Sequence, residues 1–480
     1  MLFNSIEFAL FLPFVFLVYW FPLKGKLQLQ NLFLLAASYF FYGWWDWRFL
    51  GLIILSSFLD FSIGKRLAAE PNDQNRKILL WISLAFNLGM LGFFKYYNFF
   101  VDSFVSAFTL LGQPMEPSRL EILLPVGISF YTFQTLSYTI DVYRRKLEPS
   151  KDIISFFTFV SFFPQLVAGP IERAENLLPQ FYKNRDFDLE KAKDGLRQIL
   201  WGLFKKIVIA DNCALYANQY FGAPDEFTGV ELILGAIFFS FQIYGDFSGY
   251  SDIAIGTAKL LGFDLMQNFA TPYFARDMGE FWRRWHISLS TWFRDYLYIP
   301  LGGSRGGKSL VLRNTFIIFM VSGFWHGANW TFIIWGAIHA LLFLPLILTG
   351  KNRSNLNVVA HGKLFPSIKE VFSMGSTFLI VSLAWIFFRA ESVGSAIDYL
   401  SAIFSSSLFN MPSIGSNQLI LFAGIFLLLG IEWVNREKPH PFTWDTSLPP
   451  VYVRWTVYSV FTWIIILFGG AQQTFIYFQF

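Results

Sequence analysis

Apolar runs follow one another along nearly the whole chain, separated by short polar loops. They cover Phe8–Trp20, Leu32–Trp45, Leu50–Ile63, Ile78–Phe94, Ile122–Ile140, Ile153–Val167, Leu232–Ile243, Thr315–Trp325, Trp330–Leu348, Ser376–Phe388, Leu419–Ile431 and Val457–Phe468. With flanking aromatics, most approach the ~20 residues a spanning helix needs. The pattern predicts roughly ten to twelve membrane segments. No strand-like alternation recurs at barrel spacing, so closed helices are the way across. The expected fold is an all-α polytopic membrane protein with added interfacial or re-entrant helices. A single integral-membrane domain is expected over residues 1–480, because no loop is long enough for a second.

Four stretches interrupt this pattern. Glu280–Tyr298 reads as one amphipathic helix, with Trp282, Trp285, Leu289, Trp292, Phe293 and Tyr296 at helical steps and Arg284, Ser288, Thr291 and Asp295 opposite. Such a helix lies in the interface or re-enters the protein. Phe163–Arg173 carries two prolines and a glycine, which predicts a helix break inside protein or beside a cavity. Gln242–Asp252 places Asp246 and Asp252 in a weakly polar segment, on different helix faces. They are expected at helix ends or in interhelical hydrogen bonds, not as an acid–base pair. Pro125–Gln134 leads on to Asp141.

Composition sharpens the class. Of the 480 residues, 54% are hydrophobic and only 15% charged, against about 25% charged in soluble domains. The basic residues of a +4 chain cluster in short loops, which says nothing of nucleic acid. Met1–Glu7 has no basic residue and no cleavage site follows, so a cleaved signal is not expected. Lys24, Lys26, Lys65, Arg66, Arg76, Lys77 and Arg144–Lys146 alternate with poorly charged turns, including Gly112–Glu121. That alternation predicts an outside N-terminus, cytoplasmic basic loops and an outside Gly112–Glu121 loop. Cys213 is the only cysteine, which excludes an internal disulfide and a multi-cysteine metal site. No metal is expected.

The candidate chemistry centres on Phe324-Trp-His-Gly-Ala-Asn-Trp330, at the junction of two apolar runs. An ionisable residue at membrane depth is costly and points to function. Histidine is also the side chain matched to proton transfer near neutral pH. The plainer reading is an interfacial histidine between aromatic anchors. His286 falls on the apolar side of the predicted interfacial helix, where a structural hydrogen bond competes with a functional role. His339, inside the next run, is expected to make an interhelical hydrogen bond. Gly302–Ser309 matches G-x-x-x-x-G-K-[ST], but no buried strand precedes it, so the P-loop reading fails. It remains a flexible cationic loop, read either as a topology signal or as amides and cations able to meet phosphates.

Taken in order, Met1–Ser5, Pro125–Arg144, Phe163–Arg173, Gln242–Gly256, Phe281–Gly303, Phe324–Asn329 and Phe475–Phe480 form one joint signature. By it the chain resembles the membrane-bound O-acyltransferase family. Within that family it resembles the integral-membrane subunit of bacterial alginate-type polysaccharide O-acetylation. From Gly350 to Gln418 only the hydropathy agrees. The resemblance implies a cone- or ring-like bundle of helices around a central tunnel. It maps the family's histidine onto His326 and a second common polar position onto His286. It also implies acyl transfer from a thioester to a hydroxyl, acetyl-CoA as donor, and an exported partner subunit that passes the acetyl group to sugar.

The residues suit that chemistry. Acyl transfer to a hydroxyl needs a base and donors for the oxyanion. Gly302-Gly-Ser-Arg-Gly306 spells Gly-x-Ser-x-Gly, but no buried strand precedes it to form a nucleophile elbow, which argues against a Ser–His–Asp hydrolase. His326 as base needs the fewest assumptions. Asn329, Trp330, Trp325 or backbone amides would serve the substrate, and Arg305, Lys308 and Arg313 the phosphates of the donor. The expected setting is the bacterial inner membrane, with a polysaccharide acceptor and an exported or membrane-anchored partner. D-alanyl transfer to a cell-wall polymer, a proton-coupled transporter and a non-catalytic membrane scaffold are the competing readings. No inverted repeat favours the transporter.

Overall fold

A computed structural model describes all residues except 114, 168, 444–448 and 479–480, with the backbone alone for Phe478. Parts of three stretches singled out above, 112–121, 163–173 and 475–480, lie outside the described residues. Every regular element among the described residues is helical. Seven helical stretches there are long and apolar enough to span a membrane: Leu27–Ala69, Asp73–Leu110, Gly229–Leu260, Trp330–Leu348, Ile368–Arg389, Ser416–Val434 and Val451–Phe468. The first contains two helices joined at Trp47–Phe49, and the second runs through a π turn at Gly92–Tyr96. The protein is therefore an all-α polytopic membrane protein. Shorter apolar helices, Ile6–Trp20 and Ile153–Leu166 among them, accompany these.

The chain divides into two compact units. The first comprises Met1–Lys193 with Thr257–Met266. Its Ile128–Tyr143 helix is buried on nearly every face, polar residues included. Burial all round is what a helix enclosed by other helices shows. Several of its buried polar groups are paired: Gln134 Nε2 donates to the Phe159 carbonyl at 2.6 Å, and Gln134 Oε1 accepts from Gln165 at 2.7 Å. Asp60, fully buried, accepts from Asn87 at 2.8 Å, Thr139 at 3.0 Å and Ser83.

Here two expected spans are broken. The Ile122 run does not start as helix, because Pro125 lacks an N–H and Gly127 turns the chain at φ 76°. The run from Ile153 divides into Ile153–Ser161 and Phe163–Leu166, with Phe162 at ψ 106° and Pro164 opening the second piece. One break thus falls at Phe162, just before the stretch expected to break, and the second piece ends at Leu166 within it.

The second unit comprises Asp194–Gly256 and Gln267–Phe480. Gly229–Leu260 is a 32-residue helix, longer than the Leu232–Ile243 run. Asp246 and Asp252 consequently sit in its interior, not at helix ends. Lysines from the Phe204–Ala210 π turn meet them: Lys205 Nζ lies 2.6 Å from Asp252, and Lys206 Nζ 2.8 Å from Asp246 and 2.7 Å from Asp211. Gly202 and Gly249 allow this approach, since a Cβ on either would meet the other's carbonyl oxygen. The expected hydrogen bonds are thus buried ion pairs, the form in which charge survives burial.

Candidate active site

His326 is the last residue of the Lys308–His326 helix. Gly327 leaves that helix in extended conformation, and Asn329 caps the next one, Trp330–Leu348, by accepting from Thr331 N–H at 3.1 Å. The two helices touch through Gly323 and Gly336, where a Cβ would overlap the carbonyls of Phe332 and Phe319. Small residues permit this contact between spanning helices. His326 is thereby fixed at a tight helical corner and buried. Among the described residues, its imidazole packs against the rings of Trp325 at 5.0 Å, Trp335 at 5.2 Å, Phe388 at 5.3 Å and Tyr477 at 5.7 Å.

His286 arrives by another route. The predicted Glu280–Tyr298 helix is two helices, Met278–Arg284 and Ile287–Phe293, followed by a π turn at Arg294–Tyr298. The break falls at His286, which adopts φ 44° and ψ 55°. A non-glycine residue held in this region is strained, and such strain concentrates at functional sites. Asn268 holds the turn: its carbonyl accepts from Ile287 N–H at 2.9 Å, and its Oδ1 accepts from Ser288 Oγ at 2.9 Å. Asn268 Nδ2 donates to Ser251 Oγ at 3.1 Å, which fixes Oδ1 as the acceptor side. His286 Nδ1, 3.1 Å from that Oδ1, therefore carries the proton. Nε2 is left with the lone pair and makes no hydrogen bond among the described residues. The His286 and His326 rings lie 6.5 Å apart, both within about 6 Å of Trp325.

The other expected residues are distributed differently. Trp325 is buried beside both histidines. Asn329 spends its amide on capping, with Nδ2 donating to the Glu391 carbonyl at 2.8 Å. Trp330 is 53% exposed. Arg305 belongs to the exposed loop before the His326 helix, and Lys308 and Arg313 to the first turns of that helix. Lys308 donates to the Leu348 carbonyl at 3.1 Å, and Arg313 to the Leu301 carbonyl at 3.1 Å. His339 corrects an expectation: neither ring nitrogen makes a hydrogen bond among the described residues. Its ring packs against Trp335 at 4.7 Å and Trp282 at 5.0 Å, as an aromatic side chain would. No cluster of three metal-ligating groups occurs among the described residues.

Sequence reasoning missed Asn268, Trp335, Phe388 and Tyr477 around the histidines. It also missed Lys205 and Lys206, although two lysines in the apolar run Ile199–Ala210 signal buried carboxylate partners. Tyr477 lies in the closing Phe475–Phe480 stretch, which drew notice as a pattern but not as part of a site.

Two buried imidazoles from separate helical junctions thus lie 6.5 Å apart in a polytopic helical membrane protein. The family model of membrane-bound O-acyltransferases matches residues 144–388, which include both histidines. The chain belongs to that family and is an acyltransferase. It is 42% identical to the probable alginate O-acetylase of Azotobacter vinelandii over 433 residues, 89% of this chain and 83% of that protein. It is 36% identical to the peptidoglycan O-acetyltransferase of Helicobacter pylori, covering 84% and 80% respectively. The teichoic acid D-alanyltransferase of Streptococcus thermophilus is 31% identical over 51% of this chain and 62% of that protein.

Proposed function

We propose that this chain transfers an acetyl group from cytoplasmic acetyl-CoA, through a tunnel, to a hydroxyl of an extracytoplasmic polysaccharide or partner subunit. Residues 1–480 act as one acyltransferase domain in a bacterial inner membrane. The observation that carries this reading is the enclosure of His326, beside His286, at a rigid helical corner.

His326 accepts the proton of the acceptor hydroxyl as its oxygen attacks the thioester carbonyl. The C–O bond forms, the C–S bond breaks, and the proton passes on to the departing thiolate. His286 orients the acceptor through the lone pair on Nε2. Trp325 packs against the substrate, with Asn329 and Trp330 at the turn beyond His326. Arg305, Lys308 and Arg313 attract the phosphates of coenzyme A. Acetyl transfer is favoured because two extensively matching relatives are named for O-acetylation. The shorter match to a teichoic acid D-alanyltransferase supports D-alanyl transfer as the second reading.

The test is transfer of label from acetyl-CoA to an alginate oligosaccharide by purified parent and His326→Ala protein. Positioned base catalysis is worth about 10²–10⁴-fold, so the variant should fall by that factor while melting like the parent. A folded variant with parental activity would remove His326 from the chemistry. Transfer from a D-alanyl donor but not from acetyl-CoA would select the second reading.

A further inference from the structure

The Val451–Phe468 helix ends at Gly469, and the chain then runs without regular structure to a short 3-10 turn at Ile476–Phe478. Polar contacts pin this strap along its length. Gly470 N–H donates to the Ile207 carbonyl at 3.3 Å. Lys206 Nζ donates to the Gln473 carbonyl at 3.2 Å, and Ile476 N–H to Asp246 Oδ2 at 2.7 Å. The anchor is thus the buried Lys206–Asp246–Asp211 cluster, which has no role in the acyl-transfer steps above. Beside it Phe475 and Ile476 lose all but 1% of their surface. Tyr477, the next residue, retains accessible surface and lays its ring 5.7 Å from His326 and 6.4 Å from His286.

We propose that Tyr477, held by this pinned strap, is the wall that limits acyl-group size at the histidine site. The inference rests on the acyltransferase reading and adds a specificity determinant to it. The other rings around His326 come from helices: Trp325 from its own helix, Trp335 and Phe388 from the two that follow. Among these described rings, Tyr477 comes from a short 3-10 turn outside the long helices, and the ion cluster anchors its strap. Rings centred 5–6 Å from the imidazole are packed against it, so an acyl group reaches His326 only as a ring gives way. Each added methylene must displace a wall. A hydrophobic pocket discriminates one methylene by about 10–200-fold.

The experiment compares binding of non-hydrolysable ketone analogues of acetyl-CoA and butyryl-CoA to the purified full chain. Parent, Tyr477→Phe, Tyr477→Leu and Tyr477→Ala are measured, with melting temperatures recorded alongside. The parent should prefer the acetyl analogue by at least tenfold. Tyr477→Phe should keep that preference, because ring bulk sets it. Tyr477→Ala should lose at least tenfold of it by gaining affinity for the butyryl analogue, a gain that destabilisation cannot produce. Tyr477→Leu should fall between them, and it decides the matter if the alanine variant does not fold. An unchanged preference in a folded Ala or Leu variant would overturn the inference. So would loss of the preference in Tyr477→Phe, or a parent that binds both analogues equally. A parent that binds neither would overturn the acetyl-CoA reading beneath it.

Discussion

Nδ1 of His286 lies 3.1 Å from Oδ1 of Asn268, and that oxygen also accepts from the Ser288 hydroxyl two residues further on. One buried amide thus fixes both the ring's tautomer and the left-handed turn that aims it. The histidine reaches the site through a break in a helix that hydropathy alone predicts to be continuous.

This arrangement separates fold from chemistry at position 286. Glycine adopts φ 44° without strain, whereas alanine in the left-handed region costs about 1 kcal/mol. His286→Gly should therefore melt above His286→Ala. Both should transfer acetyl more slowly than the parent, yet faster than His326→Ala. Thermal melts paired with labelled-acetyl assays check this. A His286 variant slower than His326→Ala would exchange the roles assigned to the two histidines.

Glu172 gives a pH dependence. Burial pushes its carboxyl up from 4.5 to about 7, against opposing hydrogen bonds from Met266 N–H and Asn176 Nδ2. A folded pKa above the unfolded one means that folding favours the protonated form. The stabilisation is full below pH 4.5 and is lost as pH rises through about 7. The melting temperature of the parent, relative to Glu172→Gln, should be higher at pH 5 than at pH 8. A difference independent of pH between the two would show that Glu172 does not titrate in this window.

Donor binding should be electrostatic if the cationic loop receives coenzyme A. Neutralising Arg305, Lys308 and Arg313 should raise the KM for acetyl-CoA several-fold at low ionic strength, with kcat nearly unchanged. The effect should shrink as salt screens exposed charges, over a Debye length of about 10 Å at 0.1 M. KM values that ignore both the substitutions and the salt would leave the loop as a topology signal only.

Orientation is open to chemical labelling. Cys213 is buried, so a Cys213→Ser background removes a competing thiol. Gln113 is exposed, and Gln113→Cys in that background should react with an impermeant thiol reagent once any outer membrane is made permeable. Labelling only after the plasma membrane is broken would place this loop in the cytoplasm and reverse the proposed direction of export. With the loop outside, an exported partner encoded beside this gene should co-purify with the chain.

The sequence by itself determined the all-helical membrane class and which histidine stands at a helical corner, but not every span, since the Ile122 and Ile153 runs are broken. Trp330–Leu348 was legible to the residue, because transfer into a bilayer requires each segment to be apolar on its own account. The junction at His326 was legible too, since glycine and a capping asparagine are local signals. Tertiary structure decided everything that depends on which helix faces which. It turned Asp246 and Asp252 into partners of Lys206 and Lys205, broke the interfacial helix at His286 through Asn268, and returned Tyr477 from the end of the chain to the His326 ring. Hydropathy and capping are summed along a segment. Ion pairing, left-handed turns and ring contacts are fixed only when distant segments pack, and no local periodicity encodes them.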